Sequence, residues 1–351
     1  TRDELIEISS GKVFGLFADS HLAAELDRLE LAPSEPSLEE MTGKAIELLA
    51  GDPDGFFLMV EASQVDWACH ANDPAHLISD LLMYDRVVGM VLDFAEQDGH
   101  TLVLALSDHN TGGMSIGNYA TNNDYAQTDP GRLLDPLRKM KRSALAMWKQ
   151  VADQRTPEKV KAVVDESWGI EISDEEADRI LELAAEYGGT QAHNAFGKVL
   201  CPKYTRIGWT TNGHTGGDVP LFAFGPGRPV GLLDAPEVGR VTAEALGLDL
   251  ESLNRRLFQE ATEALPHASV TIEEPTPNNF VVKVQFDGQT AELPANKNLL
   301  TLGEKTIELE GVTVCVGDEG TQKAYLPMQA VNLITGAAEA LPQVRASATS
   351  P

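Results

Sequence analysis

The chain is short of cysteine, of positive charge and of long hydrophobic runs, and each shortage narrows what it can be. Cys69, Cys201 and Cys315 lie far apart and are odd in number. They point to neither a disulfide framework nor a thiolate metal site. Lysine and arginine number 27 against 54 acidic residues, a net charge of −27. That field repels nucleic acid and anionic membrane surfaces, so no nucleic-acid partner is expected. Its ordinary consequence is solubility, and bound divalent cations would offset part of it locally. No apolar run approaches the roughly 20 residues that span a bilayer, and no secretory signal peptide opens the sequence. No methionine opens it either. Thr1 leads, and Met41 is the first, which reads as an N-terminus produced by cutting.

What is present is enough for a globular fold. With 351 residues, 42% of them hydrophobic, the chain can form one large domain and a small one. Val13–Phe17, Phe56–Val60 and Leu102–Leu106 are continuous apolar runs that predict buried strands. Between them, Ser37 with Glu40 makes a capping box for a helix to about Leu49, and Pro74 to about Glu96 reads as a long helix. This strand–helix alternation predicts an α/β fold with a mostly parallel sheet flanked by helices. Residues from about 120 to 205 break the rhythm, with helices expected at Arg132–Ala152, Pro157–Ser167 and Asp174–Tyr187. They read as a helical insertion. The sheet resumes at Pro220–Phe224, followed by helices at about 236–246 and 250–264. After Pro266 the hydrophobic period becomes two, with a turn at Asp287-Gly288. The expected division is therefore 1–265, an α/β core portion, and 266–351, a small β-rich module closed by a short helix near 328–334 and ending in a frayed tail.

Candidate ligands fall at the ends of the predicted strands, where open α/β sheets place their sites. Glu61 ends the Phe56–Val60 run, and Asp66 and His70 follow it four residues apart, a spacing that projects both from one side of a helix. Asp108 and His109 end the Leu102–Leu106 strand. His214 lies in the glycine-rich loop Asn212-Gly213-His214-Thr215-Gly216-Gly217. Taken singly, such residues are more often structural. Three separate loops at one sheet edge carrying carboxylate and imidazole, with no thiolate nearby, instead suggest hydrolytic zinc and magnesium.

The same stretches carry a family resemblance. Residues 57–74, from Phe57-Leu58-Met59-Val60-Glu61 to His70-Ala71-Asn72-Asp73-Pro74, resemble the metal-site segment of bacterial alkaline phosphatases. So do Leu106-Ser107-Asp108-His109-Asn110-Thr111-Gly112-Gly113 and Gly208–Gly217, and the stretches 15–19 and 39–45 are similar too. The resemblance covers 11 to about 120 and 205 to 250, with the insertion and the β module matching loosely. It implies that Asp66, His70 and His214 hold a first zinc, that Asp108 and His109 contribute to a second, and that Glu61 binds magnesium. Trp67, Asn110 and Ala62 depart from the usual family residues without removing an implied ligand.

The resemblance further implies hydrolysis of phosphate monoesters, a homodimer in the complete enzyme, and a periplasmic or secreted bacterial location. The family's serine nucleophile and phosphate-binding arginine are expected upstream of Thr1. Ser20, in Asp19-Ser20-His21, falls in a segment that aligns with a non-catalytic stretch and is not taken for the nucleophile. The chain is thus expected to supply C-terminal metal ligands and to be inactive alone. The alternatives are a non-catalytic metal-binding fragment, or a related phosphodiesterase or sulfatase.

Overall fold

The computed structural model describes residues 1–123, 126–318 and 321–336. The chain divides into two compact units, Thr1–Gly231 and Leu232–Pro351. The division falls ahead of Pro266, the boundary that the change of period suggests. Helix Leu250–Leu257 lies against helix Met328–Thr335, and Gln259–Glu260 adds a strand to Lys323–Leu326, so these elements go with the second unit. The expected frayed tail lies outside the described residues.

Three buried aspartates, Asp27, Asp73 and Asp80, accept backbone amides at helix starts of the first unit. Asp73 accepts from the amides of Ala75 and His76 through Oδ1, and from Ala144 through Oδ2 at 2.6 Å. It therefore caps both Pro74–Asp98 and Ala144–Val151. Asp80 accepts from Glu25 N with both oxygens at 3.2 Å, at the start of Glu25–Leu31. Asp27 receives Ser143 N and Oγ. Negative charge at a helix N-terminus meets unpaired amides and the positive end of the dipole. These ties join the long helix to the insertion.

The buried core of this unit lies in that insertion. Met147, Trp168, Ile180, Phe196, Leu200 and Ile207 are fully buried in one cluster, and Trp168 Nε1 donates to the Arg142 carbonyl at 2.9 Å. The expected helix over 132–152 is interrupted. It becomes Pro130–Leu134, a 3-10 turn Leu137–Lys139, and Ala144–Val151. Pro136 has no amide hydrogen and disfavours helical backbone before it, and Ser143 starts a new helix by accepting from Ala146 N. Helix Asn194–Tyr204 contains Pro202, which hides it from a sequence reading. It packs so closely on the turn before the long helix Pro74–Asp98 that a Cβ on Gly197 would stand 2.4 Å from Asn72 O.

The strands differ most from expectation. Val103–Leu106 pairs antiparallel with Leu221–Phe224. Segments 13–17 and 56–60 carry no strand assignment, and Phe14, Leu16, Phe57 and Met59 stand exposed. Among the described residues the ladders are antiparallel, with parallel pairing confined to isolated bridges such as Gly117–Ile207. A continuous apolar run specifies that both faces seek burial. It says nothing of which strand will lie alongside or in which direction.

The second unit is strand-rich, as its period of two predicts. Ser269–Thr276, Asn279–Phe286, Gln289–Pro294, Leu299–Leu302 and Lys305–Glu308 form an antiparallel meander. Asp287 and Gly288 both have positive φ, 46° and 78°, the conformation that a two-residue hairpin turn requires. Val282, Val284, Leu293, Leu300 and Leu326 fill its core. No helix of the described residues is long and apolar enough to cross a membrane.

The buried carboxylates make stability depend on pH. Burial, and then the charges of Glu25, Asp27 and Asp73, push Asp80 up to about 7 against the helix-capping amide of Glu25. The His76 Nε2 atom lies 3.5 Å from Asp80 without a hydrogen bond, and burial lowers that imidazole to about 3. A carboxyl whose folded pKa exceeds its unfolded value of about 3.9 holds its proton more tightly when folded. Its contribution is fully present below the unfolded value and is lost as pH rises through about 7. Asp80→Asn, which keeps an acceptor for Glu25, should therefore gain on the parent as pH rises from about 5 to 8, by on the order of 2 kcal/mol. Urea midpoints across that range measure it. A difference independent of pH would show that Asp80 is ionised throughout.

Candidate metal centre

Two loops and one short helix build the site. Helix Gln64–His70 carries Asp66 in its first turn and His70 in its last, so the two side chains share a face and His70 Nε2 lies 3.3 Å from Asp66 Oδ2. The loop after Val103–Leu106 carries Asp108 and His109, whose Nε2 and Oδ2 atoms are 3.3 Å apart. A two-residue antiparallel ladder, Asn110 with Thr215 and Thr111 with His214, lays the histidine of the third loop beside the second.

Gly112 makes this close approach possible. Its φ is +76°, and a Cβ there would meet the Trp209 ring at 2.8 Å and Cys69 O at 2.9 Å. Its amide donates to Gly213 O, and its carbonyl accepts from Thr210 and Thr211. All three site segments therefore touch this one residue or its direct partners, which only glycine tolerates.

The result is a cluster of imidazoles flanked by carboxylate. Ligating atoms of Asp66, His70 and His214 lie within 4.8 Å of one another. The His214 ring stacks on His109 with centroids 3.7 Å apart and 24° between planes, and stands 5.2 Å from His70. Asp108 is exposed beside His109. Glu61 is not drawn into this group. It is exposed and lines a cavity of about 250 Å³ together with Ser20, His21, Glu25, Gln64 and Asp80.

Hydrogen bonds determine which imidazole nitrogens are free. Thr111 Oγ1 lies 2.5 Å from Asp66 Oδ1 and 3.2 Å from His109 Nδ1. A carboxylate can only accept, so the single hydroxyl hydrogen goes to Asp66 and His109 Nδ1 must donate to the oxygen. His70 Nδ1 faces the Asn212 carbonyl at 2.5 Å and must donate as well. Both rings thus keep Nε2 unprotonated in their neutral forms, the state that binds metal. Burial, and then Asp66, push the Cys69 thiol up to about 12, so it stays protonated and is no competitor for a cation. Two imidazoles and one carboxylate, with His70 and Asp66 oriented by second partners and no fourth protein ligand grouped with them among the described residues, match the donor set of a catalytic zinc rather than a structural one. The residues present fit that ion.

Thr111, Asn72 and Asn212 are the members that motif reading does not single out. Thr111 stands two residues past His109 in the same motif, at the spacing that brings alternate strand residues to one face. Asn72 and Asn212 are visible only once the loops are folded together.

The donor set sits at the loop edge of a mixed α/β unit. Comparison with known proteins identifies the family. The family model for alkaline phosphatase matches residues 1–248. Alkaline phosphatase 3 of Bacillus subtilis is 35% identical over 253 residues, covering 71% of this chain and 52% of that protein. Alkaline phosphatase 4 of the same organism is 35% identical over 228 residues, covering 65% and 46%. The crystal structure of Thermus thermophilus alkaline phosphatase superposes with a TM-score of 0.64 at 29% identity, covering 71% of this chain and 55% of that one. This chain belongs to the alkaline phosphatase family. It spans about half the length of the curated relatives it matches.

Proposed function

We propose that this chain supplies the zinc- and magnesium-binding part of an enzyme that hydrolyses phosphate monoesters. The observation that carries the reading is the convergence of Asp66, His70 and His214 within 4.8 Å in a chain of the alkaline phosphatase family. These three would hold a first zinc, with a coordination position left open. Asp108 and His109 would contribute to a second zinc and Glu61 to magnesium, each completed by residues outside these 351. Metal ions held by these residues would supply positive charge that stabilises the attacking and leaving oxygens of a phosphoryl transfer.

The chain's own residues have definite tasks in that scheme. Asp66 lowers the positive charge at the first position and takes the Thr111 hydrogen bond. His70 and His214 would each offer a ring nitrogen. His109 is joined through Thr111 to the same carboxylate. The serine nucleophile and the phosphate-binding arginine are assigned to the remaining portion of the enzyme. The half-length match to the relatives supports this. A homodimer and a periplasmic or secreted location complete the proposal. Fractionation and sizing of the product of the complete gene should find the enzyme exported and dimeric. Cytosolic, monomeric activity would remove both points.

Zinc titration of the folded chain by calorimetry should show about one tight site. His214→Ala should abolish it, whereas His109→Ala should leave it nearly unchanged, since the second position keeps too few ligands to bind firmly. A folded chain without zinc affinity, or a larger effect at His109 than at His214, overturns the ligand assignment.

The chain by itself should hydrolyse p-nitrophenyl phosphate negligibly even when loaded with zinc. Without the serine no covalent intermediate divides the reaction, and without the arginine no fork orients the phosphoryl oxygens. Turnover near that of a complete alkaline phosphatase, from material free of host enzyme, would defeat the division of labour. Complementation failing with every added N-terminal portion of a relative would favour a non-catalytic metal-binding role.

A further inference from the structure

Two asparagines that no ligand role accounts for stand behind the first metal position. Helix Gln64–His70 ends at Ala71, and Asn72 follows in the left-handed region at φ 51° with 3% of its surface exposed. Its Nδ2 donates to Cys69 O at 3.0 Å and to Thr211 O at 2.9 Å. Its Oδ1 accepts from Asn212 Nδ2 at 3.1 Å, and that same nitrogen donates to His70 O at 2.7 Å. The two amides therefore use all four of their hydrogens, and each reaches from one loop to the other. The carbonyl of Asn212 faces His70 Nδ1 at 2.5 Å.

We propose that Asn72 and Asn212 are positioning residues for zinc: their paired amides clamp the helix of Asp66 and His70 to the loop of His214 and hold His70 with its hydrogen on Nδ1. The proposal rests on reading Asp66, His70 and His214 as a zinc site. A carbonyl oxygen carries no hydrogen, so the Asn212 carbonyl accepts from Nδ1, and the lone pair of Nε2 is left beside Asp66. What fixes that carbonyl is its own side chain, bonded back to His70 O and Asn72. His70 is thus gripped at its backbone and its ring by one residue. That residue lies two positions before His214, so the clamp sets the separation of the two imidazoles as well as the tautomer of one.

The requirements at position 72 are narrow. The backbone there suits asparagine or glycine, and the side chain must offer two hydrogens to two carbonyls and one oxygen to an amide. Aspartate would turn a carboxylate on the carbonyls of Cys69 and Thr211. Glycine would suit the backbone and lose every bond. Asparagine alone meets both conditions, and its burial raises the penalty for any unpaired group. The close seat of Gly197 on the Asn72 carbonyl, with Cys201 Sγ donating to the same oxygen at 3.4 Å, fastens the clamp to the insertion core.

Asn72→Gly and Asn212→Ala test this, because the first preserves the left-handed backbone and the second keeps the Asn212 carbonyl. Each is compared with the parent chain in zinc titration by calorimetry, in thermal melting, and in long-range nitrogen–proton NMR spectra that report the His70 tautomer without metal. The parent should show the His70 hydrogen on Nδ1. Both variants should show mixed tautomers and a zinc affinity lower by about 10–100-fold, beyond what a matched loss of melting temperature at the distant Trp168–Arg142 contact produces. Folded variants that bind zinc within about twofold of the parent, or a parent with its hydrogen on Nε2, overturn the proposal. A folded parent that binds no zinc sinks the metal reading instead, and the tautomer comparison still decides the clamp. If neither variant folds, the tautomer of the parent decides it.

Discussion

The carboxylate of Asp73 is the point on which both the core and the site depend. It is buried, and it satisfies the first amides of two helices at once, one leading away from the ligand-bearing turn and one opening the insertion. Among the described residues its hydrogen-bond donors are backbone amides, so backbone dipoles balance its charge. Burial raises it to about 6 in spite of those bonds. An anion held this way leaves little freedom of direction. Its acceptor geometry sets the angle at which the long helix departs from His70, and the same geometry seats the insertion beneath the turn. Asn72, the adjacent residue, then has one backbone conformation available.

This arrangement inverts the roles that strand patterning suggests. The apolar runs at 13–17 and 56–60 look like core, yet Phe14, Leu16, Phe57 and Met59 are exposed, while the insertion holds the large buried side chains. Hydrophobic burial at about 25 cal/mol per Å² accrues where the partners are, and the insertion brings its own. Its helices pack on one another through short connections, so each finds its apolar neighbour within a few dozen residues. An apolar strand has no such independence. It needs a ladder on each edge and a layer on each face, and extended segments without these are specified in sequence before they are satisfied in space.

Legibility in the sequence follows the same division. The capping boxes at Ser37 and Ser173 are local, with both bonds of each box formed within four residues, and they mark the helix starts at Leu38 and Asp174 correctly. The hairpin turn at Asp287-Gly288 is local in the same sense. Asp66 and His70 share a helix face through spacing alone. The long-range members were less legible. His214 joins His70 and His109 through a two-residue ladder and a glycine contact that no period encodes, and only its motif made it a candidate. Glu61 belongs to the same stretch, lies outside this cluster and lines a separate cavity.

The coupling of site to core has a mechanical consequence. Both bonds that tie His70 to the next loop come from Asn212, whose backbone carbonyl faces the ring and whose side chain donates to the His70 carbonyl. Backbone groups move with their loops, so the ring is only as well placed as the loop that holds it. That loop is held in turn by Gly112, whose carbonyl takes two amides from it, and by Asn72, whose own carbonyl lies under Gly197 and Cys201. The insertion therefore reaches the ligands through two residues without contributing a ligand itself.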